Sequence, residues 1–336
     1  MRSTIHPATA CFLSGLLLLG GCRKGEPARQ SAVTFTLSEP STRMVSREGD
    51  RSVDTWTLLL YRDGRLTDTG TSASDGPIVR KELDAGVYTA WAVVNPPAGF
   101  RPDSYRDLAD LEEAESSLAD NAPGRLLMAG SLTFSLPLPE DVPQVIRVNR
   151  LVCLAGIRKI STAFTDPVLA ALPFRLKALY LTNCYGRARL GRDDAESDMD
   201  IGNPFWYNRM GFRSDPTVDA LVVDRNLDVA ISPSSPCLQA HWFYCYANPT
   251  AADSRSGDWS PRHTRLVIEA EIGGRTCYYA VTLPTLQRNK TYLIEEAVIR
   301  NMGSGSPEED IPGIIDVVFR TETVPWNPEY AVQENS

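Results

Sequence analysis

Residues 265–284 read RLVIEAEIGGRTCYYAVTLP, a run that indicates a β-hairpin more clearly than any other part of the chain. β-Branched and aromatic side chains, which fit the pleated surface of a sheet, flank the dipeptide Gly273-Gly274 on both sides. Glycine readily adopts the positive φ angles that a two-residue hairpin turn requires. The stretch therefore predicts two antiparallel strands, and similar runs elsewhere favour an all-β fold.

Apolar and polar residues alternate in many other segments, with the period of two that turns one face of a strand toward a core. The first such segment has three alternating apolar residues, Val33, Phe35 and Leu37. The run VYTAWAVVN at 87–95 is apolar on both faces, as expected of a central strand. Further strands are predicted at 56–61 (followed by the turn Asp63-Gly64), 132–138, 144–161, 176–186, 221–231, 240–249, 289–301 and 314–330.

Residues 103–120 interrupt this pattern, because Leu108, Leu111, Ala114 and Leu118 recur at helical spacing between acidic residues. They predict one short helix packed on a sheet edge. A polar stretch rich in Gly, Asp and Asn predicts a long loop at 186–216.

Short strands at intervals of about ten residues, with turn residues between them, favour two tandem β-sandwiches. We assign the N-terminal sandwich to residues 33–146 and the C-terminal sandwich to residues 147–336. The predicted strand at 144–161 is the boundary region.

The N-terminal residues have the layout of a secretory signal, with Arg2, a mostly apolar stretch at 8–19, and small residues before a cysteine. The apolar stretch is shorter than the roughly 20 residues of a membrane-spanning helix. Leu-Gly-Gly-Cys22 resembles the lipobox of bacterial lipoproteins, in which the cysteine thiol takes a diacylglycerol. We predict a signal peptide at 1–21, a lipid on Cys22 that attaches the protein to the outer membrane, and a flexible tether at 22–32.

The net charge is −8 and the isoelectric point is near 5.1. The arginines are scattered, so the sequence lacks the basic patch that binding to nucleic acid requires. No apolar stretch after the predicted signal approaches the length of a membrane span. The lipid on Cys22 is therefore the only membrane attachment that the sequence predicts.

Five cysteines remain in the predicted mature chain besides Cys22, and none has the CxxC spacing of zinc or redox sites. An odd number cannot form a closed disulfide framework, so one disulfide, two, or none are all compatible with the sequence. We favour mostly buried free thiols that pack as small hydrophobic side chains. The five are Cys153, Cys184, Cys237, Cys245 and Cys277.

Catalytic apparatus is not apparent in the sequence. The mature chain has two histidines, His241 and His263, and neither has a second metal ligand at a suitable spacing. No GxSxG, SxxK, HExxH or phosphate-binding glycine loop occurs. Acidic residues between Asp193 and Asp200 are interpreted as a solvated loop rather than a cation site, because the glycine and distal glutamate of a calcium loop are missing. We predict neither an enzyme, nor a metal, nor a cofactor.

Aromatic residues cluster in two predicted elements and allow two interpretations. Stacked on a surface they would form a platform for sugars, whereas aromatic residues in strands more often belong to a core. We favour the core. The residues are Trp206, Tyr207, Trp242, Phe243, Tyr244 and Tyr246.

Several segments, in the same order over residues 33–326, resemble the fimbrillin family, the type V pilins and related fimbrial subunits of Bacteroidales. The most specific are QRNKTY at 287–292, followed by MGSGSPEED at 302–310, and VVFRTETVPW at 317–326. The others are Thr42-Arg43 before TLLLYRDGRL (57–66), AWAVVN (90–95), LLMAG (126–130), RLVCLA (150–155), HWFYCYAN (241–248) and TCYYAVTL (276–283).

This resemblance implies two transthyretin-like sandwiches, a lipoprotein precursor and assembly by strand exchange. In such assembly a surface protease specific for arginine cuts just after the first strand, and a neighbouring subunit's C-terminal strand replaces it. Arg43 and Arg47 would be the cleavage sites. The displaced strand would carry Val33, Phe35 and Leu37, and the donor strand would carry Ile315, Val317, Phe319, Val324 and Trp326.

The sequence therefore predicts a structural or tip subunit of cell-surface fimbriae that acts through polymerisation and adhesion. Its expected partners are other fimbrial subunits, the arginine-specific protease, the outer membrane, and a ligand on a host or bacterial surface. The alternative is a monomeric glycan-binding lipoprotein of the outer membrane that stacks sugars on exposed aromatic residues.

Overall fold

The computed structural model describes residues 31–38, 52–138, 142–193, 195, 206–209, 219–253, 261–307 and 313–320. β-Strands dominate these ranges, and the three α-helices within them have five residues or fewer. None of these helices is long and apolar enough to cross a membrane. The predicted all-β class is confirmed.

The first half of the chain forms a five-stranded sheet, in the order β3-β2-β5-β7-β9, and a three-stranded sheet, β4-β1-β8. Neighbouring strands are antiparallel except β1 and β8, which are parallel. The strands are β1 (Ser31–Ser38), β2 (Thr55–Arg62), β3 (Arg65–Ala73), β4 (Ile78–Leu83), β5 (Gly86–Val94), β6 (Glu115–Ser117), β7 (Met128–Leu136), β8 (Gln144–Arg147) and β9 (Asn149–Arg150).

The second half also has two main sheets. One sheet has the order β16-β12-β18-β19. In the other sheet, β20 pairs with β21 along one edge and with the successive strands β10 and β11 along its other edge. β17 pairs with the free edge of β10. The strands are β10 (Val152–Ile157), β11 (Ile160–Thr162), β12 (Phe174–Thr182), β13 (Cys184–Tyr185), β14 (Arg187–Arg189), β15 (Trp206–Tyr207), β16 (Val223–Ile231), β17 (His241–Tyr246), β18 (Arg265–Ile272), β19 (Arg275–Thr282), β20 (Thr291–Ile299) and β21 (Ile315–Arg320).

Three short α-helices and two single 3₁₀ turns complete the described structure. Helix α1 belongs to the first half, and α2 and α3 belong to the second. The helices are α1 (Leu108–Glu112), α2 (Pro167–Ala170) and α3 (Asp219–Val222), and the 3₁₀ turns are Pro102–Ser104 and Leu118–Asp120.

Two neighbouring strands of the five-stranded sheet, β2 and β5, are buried on both faces along most of their length. On β2, Trp56 and Leu58 point into a core shared with the three-stranded sheet. Leu59 and Tyr61, at the intervening positions, belong to a second hydrophobic cluster that continues into the second half. Because successive side chains of a strand point to opposite faces, the unbroken apolar runs of this sheet serve two cores.

A small polar junction connects the two halves. β6, from the first half, pairs with β14, from the second. The buried Tyr246 hydroxyl donates to the Ser117 carbonyl at 3.0 Å and accepts from the Asn121 amide at 2.9 Å, and the Ser116 hydroxyl lies 2.7 Å away. Burial raises the pKa of Tyr246, so the hydroxyl keeps its proton.

Ion pairs border this junction. Arg189 lies 2.8 Å from Glu113, and Arg187 pairs with Glu115. The two halves are thus held together by backbone pairing, buried hydrogen bonds and charge as well as by apolar contact.

Both predicted hairpin turns are confirmed. Asp63 and Gly64 join β2 to β3, and Gly273 and Gly274 join β18 to β19, with positive φ at all four residues. Two-residue turns of this kind match the right-handed twist of the strands they connect.

Three predictions of local structure were wrong. The strand predicted at 144–161 is four short strands, β8 to β11, which belong to three different sheets. The helix predicted at 103–120 is limited to α1, with β6 and 3₁₀ turns in the rest of the range. The predicted loop at 186–216 contains β14 and β15, although much of it lies outside the described residues.

Tyr246→Phe tests the junction. Because it leaves the amide of Asn121 and the carbonyl of Ser117 without their partner in a buried site, we expect a loss of about 1–3 kcal/mol in the free energy of unfolding, measured by urea titration. Tyr180→Phe is the matched control, because the hydroxyl of Tyr180 makes no hydrogen bond within the described part of the chain. Equal stability of the two variants would contradict a stabilising role for the Tyr246 hydroxyl at the junction.

Candidate assembly strands

Strand β1 lies in the middle of the three-stranded sheet and is paired along both edges. On one side it runs antiparallel to β4, with Thr34 opposite Val79. On the other side it runs parallel to β8, with Phe35 opposite Gln144. The strand nearest the N-terminus among the described residues therefore joins two strands that come much later in the chain.

The inward side chains of β1 fill the first core. Val33 and Phe35 are 1% and 0% exposed, whereas Leu37 is half-buried at the edge of the same cluster. The Phe35 ring contacts Phe134 edge-on, with 5.5 Å between ring centres, and Phe134 stacks on Tyr88. The three alternating residues therefore face the same core, where Val33 and Phe35 are fully buried and Leu37 is partly buried.

Loss of β1 would leave a groove between β4 and β8. Both of these strands would present unpaired backbone groups, and the space of Val33 and Phe35 would be empty. Unpaired strand edges readily accept another strand, and a pocket left by an aromatic side chain favours an apolar replacement. The site is thus shaped to bind an extended segment with apolar residues at alternate positions.

Strand β21 lies at an edge of the second half, antiparallel to β20. Ile315 and Val317 are half-buried against the main core. Val318 points outward and is 55% exposed, and Phe319, near the end of the strand, is 38% exposed. An ion pair of 2.8 Å between Arg300 and Asp316 adds to the pairing. The structure thus holds β1 and β21 in different sheets of different halves.

Several residues predicted to take part in assembly lie outside the described residues. These are Cys22, Arg43, Arg47, Val324 and Trp326. Their roles stay predictions.

His241 and His263 each lie next to an acidic residue. The buried His241 places Nδ1 2.7 Å from an Asp224 carboxylate oxygen, and the backbone N–H of His263 donates to Asp253 at 2.8 Å. Of the acidic residues in the loop at 193–200, Asp193 alone is among the described residues, and it pairs with Arg288. Within the described ranges, no three Cys, His, Asp or Glu side chains are placed to hold a metal ion.

The aromatic cluster is core rather than platform. Five of its six residues are buried. Trp242, the sixth, is half-buried and packs over Gly156, where an added Cβ would collide with its ring. The glycan-stacking surface suggested as the alternative is therefore not formed by these residues.

The five cysteines predicted to be buried thiols are all buried and unpaired by disulfides in the structure. Cys153 and Cys245 nevertheless lie side by side on neighbouring strands.

Sequence reasoning missed the residues that hold β1 and the two halves in place. Arg80 on β4 reaches across the sandwich edge and contacts the Thr69 carbonyl and the Asp68 carboxylate of β3. Ser116 and Asn121 lie in or next to a segment predicted to be helical, and nothing in their spacing shows that they meet Tyr246. A local sequence pattern cannot indicate partners this far along the chain.

Phe35→Ala tests how strongly β1 is anchored. Removing a fully buried aromatic ring leaves a cavity, so we expect a loss of about 3–5 kcal/mol in the free energy of unfolding. Val79→Ala, at a 47% exposed position on the neighbouring strand, is the control and should lose far less. Urea unfolding of both variants measures the difference, and a small effect of Phe35→Ala would show that β1 contributes little.

Comparisons with known proteins extend these observations. No protein-family model matches the sequence. No curated protein matches it either. Several solved protein structures, in contrast, superpose on most of this chain and on nearly all of their own.

One match is a candidate cell adhesion protein from Bacteroides eggerthii, with a TM-score of 0.64 and 15% identity over 88% of this chain and 96% of the other. A second, from Parabacteroides distasonis and also described as a candidate cell adhesion protein, has a TM-score of 0.62 and 17% identity over 89% and 99%. A fimbrilin from Porphyromonas gingivalis W83 has a TM-score of 0.57 and 15% identity over 86% and 96%. The chain therefore has the fold of the fimbrillins and of these adhesion-related proteins, as the sequence resemblance implied.

Proposed function

We propose that this protein is a structural or tip subunit of cell-surface fimbriae that assembles by strand exchange. The observation that carries the proposal is the position of β1, which is paired on both sides and buries Val33 and Phe35, yet is followed directly by a polar segment containing Arg43 and Arg47. The likeness of the fold to a fimbrilin supports it. In this proposal the protein acts by polymerisation and adhesion and catalyses no reaction.

Physical chemistry favours replacement of β1 rather than its simple loss. An empty groove would expose apolar side chains of the first core and leave two strand edges unpaired. A strand from a neighbouring subunit would restore both kinds of contact, while the pockets of Val33 and Phe35 would select its register. Cleavage after Arg43 or Arg47 would free β1 from the rest of the sandwich and permit the exchange.

The C-terminal segment is the proposed donor. Ile315, Val317 and Phe319 alternate as Val33, Phe35 and Leu37 do, and Val324 and Trp326 follow. Since Ile315 and Val317 already contact their own core, they can enter a neighbour only if β21 leaves β20. If residues 321–336 alone were the donor, β21 could stay paired with β20. Truncation can distinguish donation by β21 from donation by residues 321–336.

Export as an outer-membrane lipoprotein through residues 1–21 and Cys22 is part of the proposal, as is the division into sandwiches at 33–146 and 147–336. The change from the sheets of the first half to those of the second lies a few residues after this boundary, between β9 (Asn149–Arg150) and β10 (Val152–Ile157). Other fimbrial subunits, an arginine-specific surface protease and a ligand on a host or bacterial surface are the proposed partners.

Substitution of both arginines tests cleavage. In a chain that also carries Arg51→Gln, so that residues 39–51 contain no other cleavable residue, we expect the double variant Arg43→Gln, Arg47→Gln to remain monomeric when trypsin, which cuts after arginine and lysine, is added, because β1 stays covalently attached. The unsubstituted chain should form a ladder of oligomers on gels run without heating. Arg51→Gln, in the same segment, is the control and should behave like the unsubstituted chain.

Mass spectrometry of the N-terminus identifies the bond that is cut. A new N-terminus at Met44 or Glu48, the residues that follow the two arginines, is expected in the oligomers. Oligomers whose subunits still begin before β1 would contradict strand exchange.

Truncation tests the donor. A chain lacking residues 313–336 should accept a strand after cleavage but donate none, so it should cap growth in a dose-dependent manner when mixed with the cleaved full-length chain. A chain lacking only residues 321–336 retains β21 on β20. If this chain still polymerises, β21 is the donor. If it only caps the growth of the full-length chain, residues 321–336 are the donor. Normal polymerisation of the chain lacking 313–336 would exclude a C-terminal donor.

A further inference from the structure

We propose that Cys153 and Cys245 form a disulfide across β10 and β17 in the exported protein. The two residues are directly opposite each other in the antiparallel pair β10–β17. Their sulfur atoms lie 3.3 Å apart, and the Cys153 sulfur also lies 3.3 Å from the Cys245 carbonyl oxygen. The site belongs to the second half and is independent of the β1 groove.

The backbone already has the geometry that a disulfide needs. Residues directly opposite in an antiparallel pair have Cα atoms about 4.5 or 5.5 Å apart, and disulfides span Cα distances of roughly 4.4–6.8 Å. The sulfur atoms need to approach by little more than 1 Å to reach the bonded separation of about 2.05 Å. Rotation of the two side chains suffices, so β10 and β17 can keep their register.

The bond forms by exchange with an existing disulfide. A thiolate of one cysteine attacks a sulfur of a small-molecule or protein disulfide and releases one thiol. The second cysteine then attacks the mixed disulfide and releases the other thiol. The pair thus loses two electrons and two protons, and the incoming disulfide is reduced to two thiols.

Burial determines when this reaction occurs. Both residues are 0% exposed. The hydrogen bond with Cys153, together with burial, raises the pKa of the Cys245 thiol well above its ordinary value, so the Cys245 thiolate is rare in the folded chain, and neither sulfur is accessible to a disulfide in solution. Oxidation must precede the closing of the core, and once the bond has formed the same burial protects it from reductants. The proposed export would place the chain where such bonds persist.

A third buried thiol, that of Cys184, is an alternative partner for Cys153. Cys184 is also fully buried, and its thiol interacts electrostatically with that of Cys153. Cys184 comes from β13, however, and is not opposite Cys153 in any strand pair of the described residues. The cross-strand register therefore selects Cys245.

Oxidative refolding tests the bond. The chain beginning at residue 22, with Cys22→Ser so that only the five buried cysteines remain, is reduced and unfolded, refolded with oxidised and reduced glutathione, and then alkylated with iodoacetamide in denaturant without reductant. Peptide mapping should show Cys153 linked to Cys245, with Cys184, Cys237 and Cys277 alkylated. Cys245→Ala should abolish the link, and Cys237→Ala, which removes another buried thiol, should preserve it.

Thermal unfolding provides a second measurement. The bond would close a loop between residues 92 positions apart. Protein refolded in reductant should therefore unfold at a midpoint roughly 5–10 °C lower than protein refolded oxidatively, both for the otherwise unsubstituted chain and for Cys237→Ala, but not for Cys245→Ala. Alkylation of all five thiols in correctly folded protein would overturn the proposal. A dominant link between Cys153 and Cys184 would overturn it as well.

Discussion

Burial of β2 and β5, neighbouring strands of the five-stranded sheet, on both faces is the constraint on which the remaining architecture depends. One face packs on the sheet that contains β1, and the other continues into the core of the second half. Side chains of β5 alternate between the two, with Ala90 and Ala92 on one side and Trp91 and Val93 on the other. A strand segment that serves two cores must be apolar on both faces, which explains the run AWAVV at 90–94.

This arrangement confines β1 to one of the two cores. Its buried side chains lie on one side of the five-stranded sheet, away from the second cluster and the junction around Tyr246. Stability in proteins is distributed unevenly, and a segment can open while the remainder stays folded. A strand that contributes to one core alone is therefore compatible with the proposed exchange.

The sequence predicted what local chemistry determines. The hairpin turns at Asp63-Gly64 and Gly273-Gly274 follow from residues that tolerate positive φ, and the alternation of Val33 and Phe35 indicated their shared buried face. Strands β8 to β11 were predicted as one because the chain passes between three sheets within a short stretch without any turn dipeptide to mark the changes. Likewise, the pairing of β1 with β4 and β8 depends on distant segments, which periodicity cannot identify.

The position of the proposed disulfide is compatible with the proposed exchange. Cys153 and Cys245 lie opposite each other on β10 and β17, strands that do not pair with β1 and that border the junction through Tyr246. A crosslink there would strengthen one sheet of the second half and would not restrain β1. In the proposed fibre, each subunit would carry a covalent connection across that sheet, while the contact between subunits would depend on the strand that fills the groove between β4 and β8. Permanent and exchangeable contacts would then lie in different sheets of one chain.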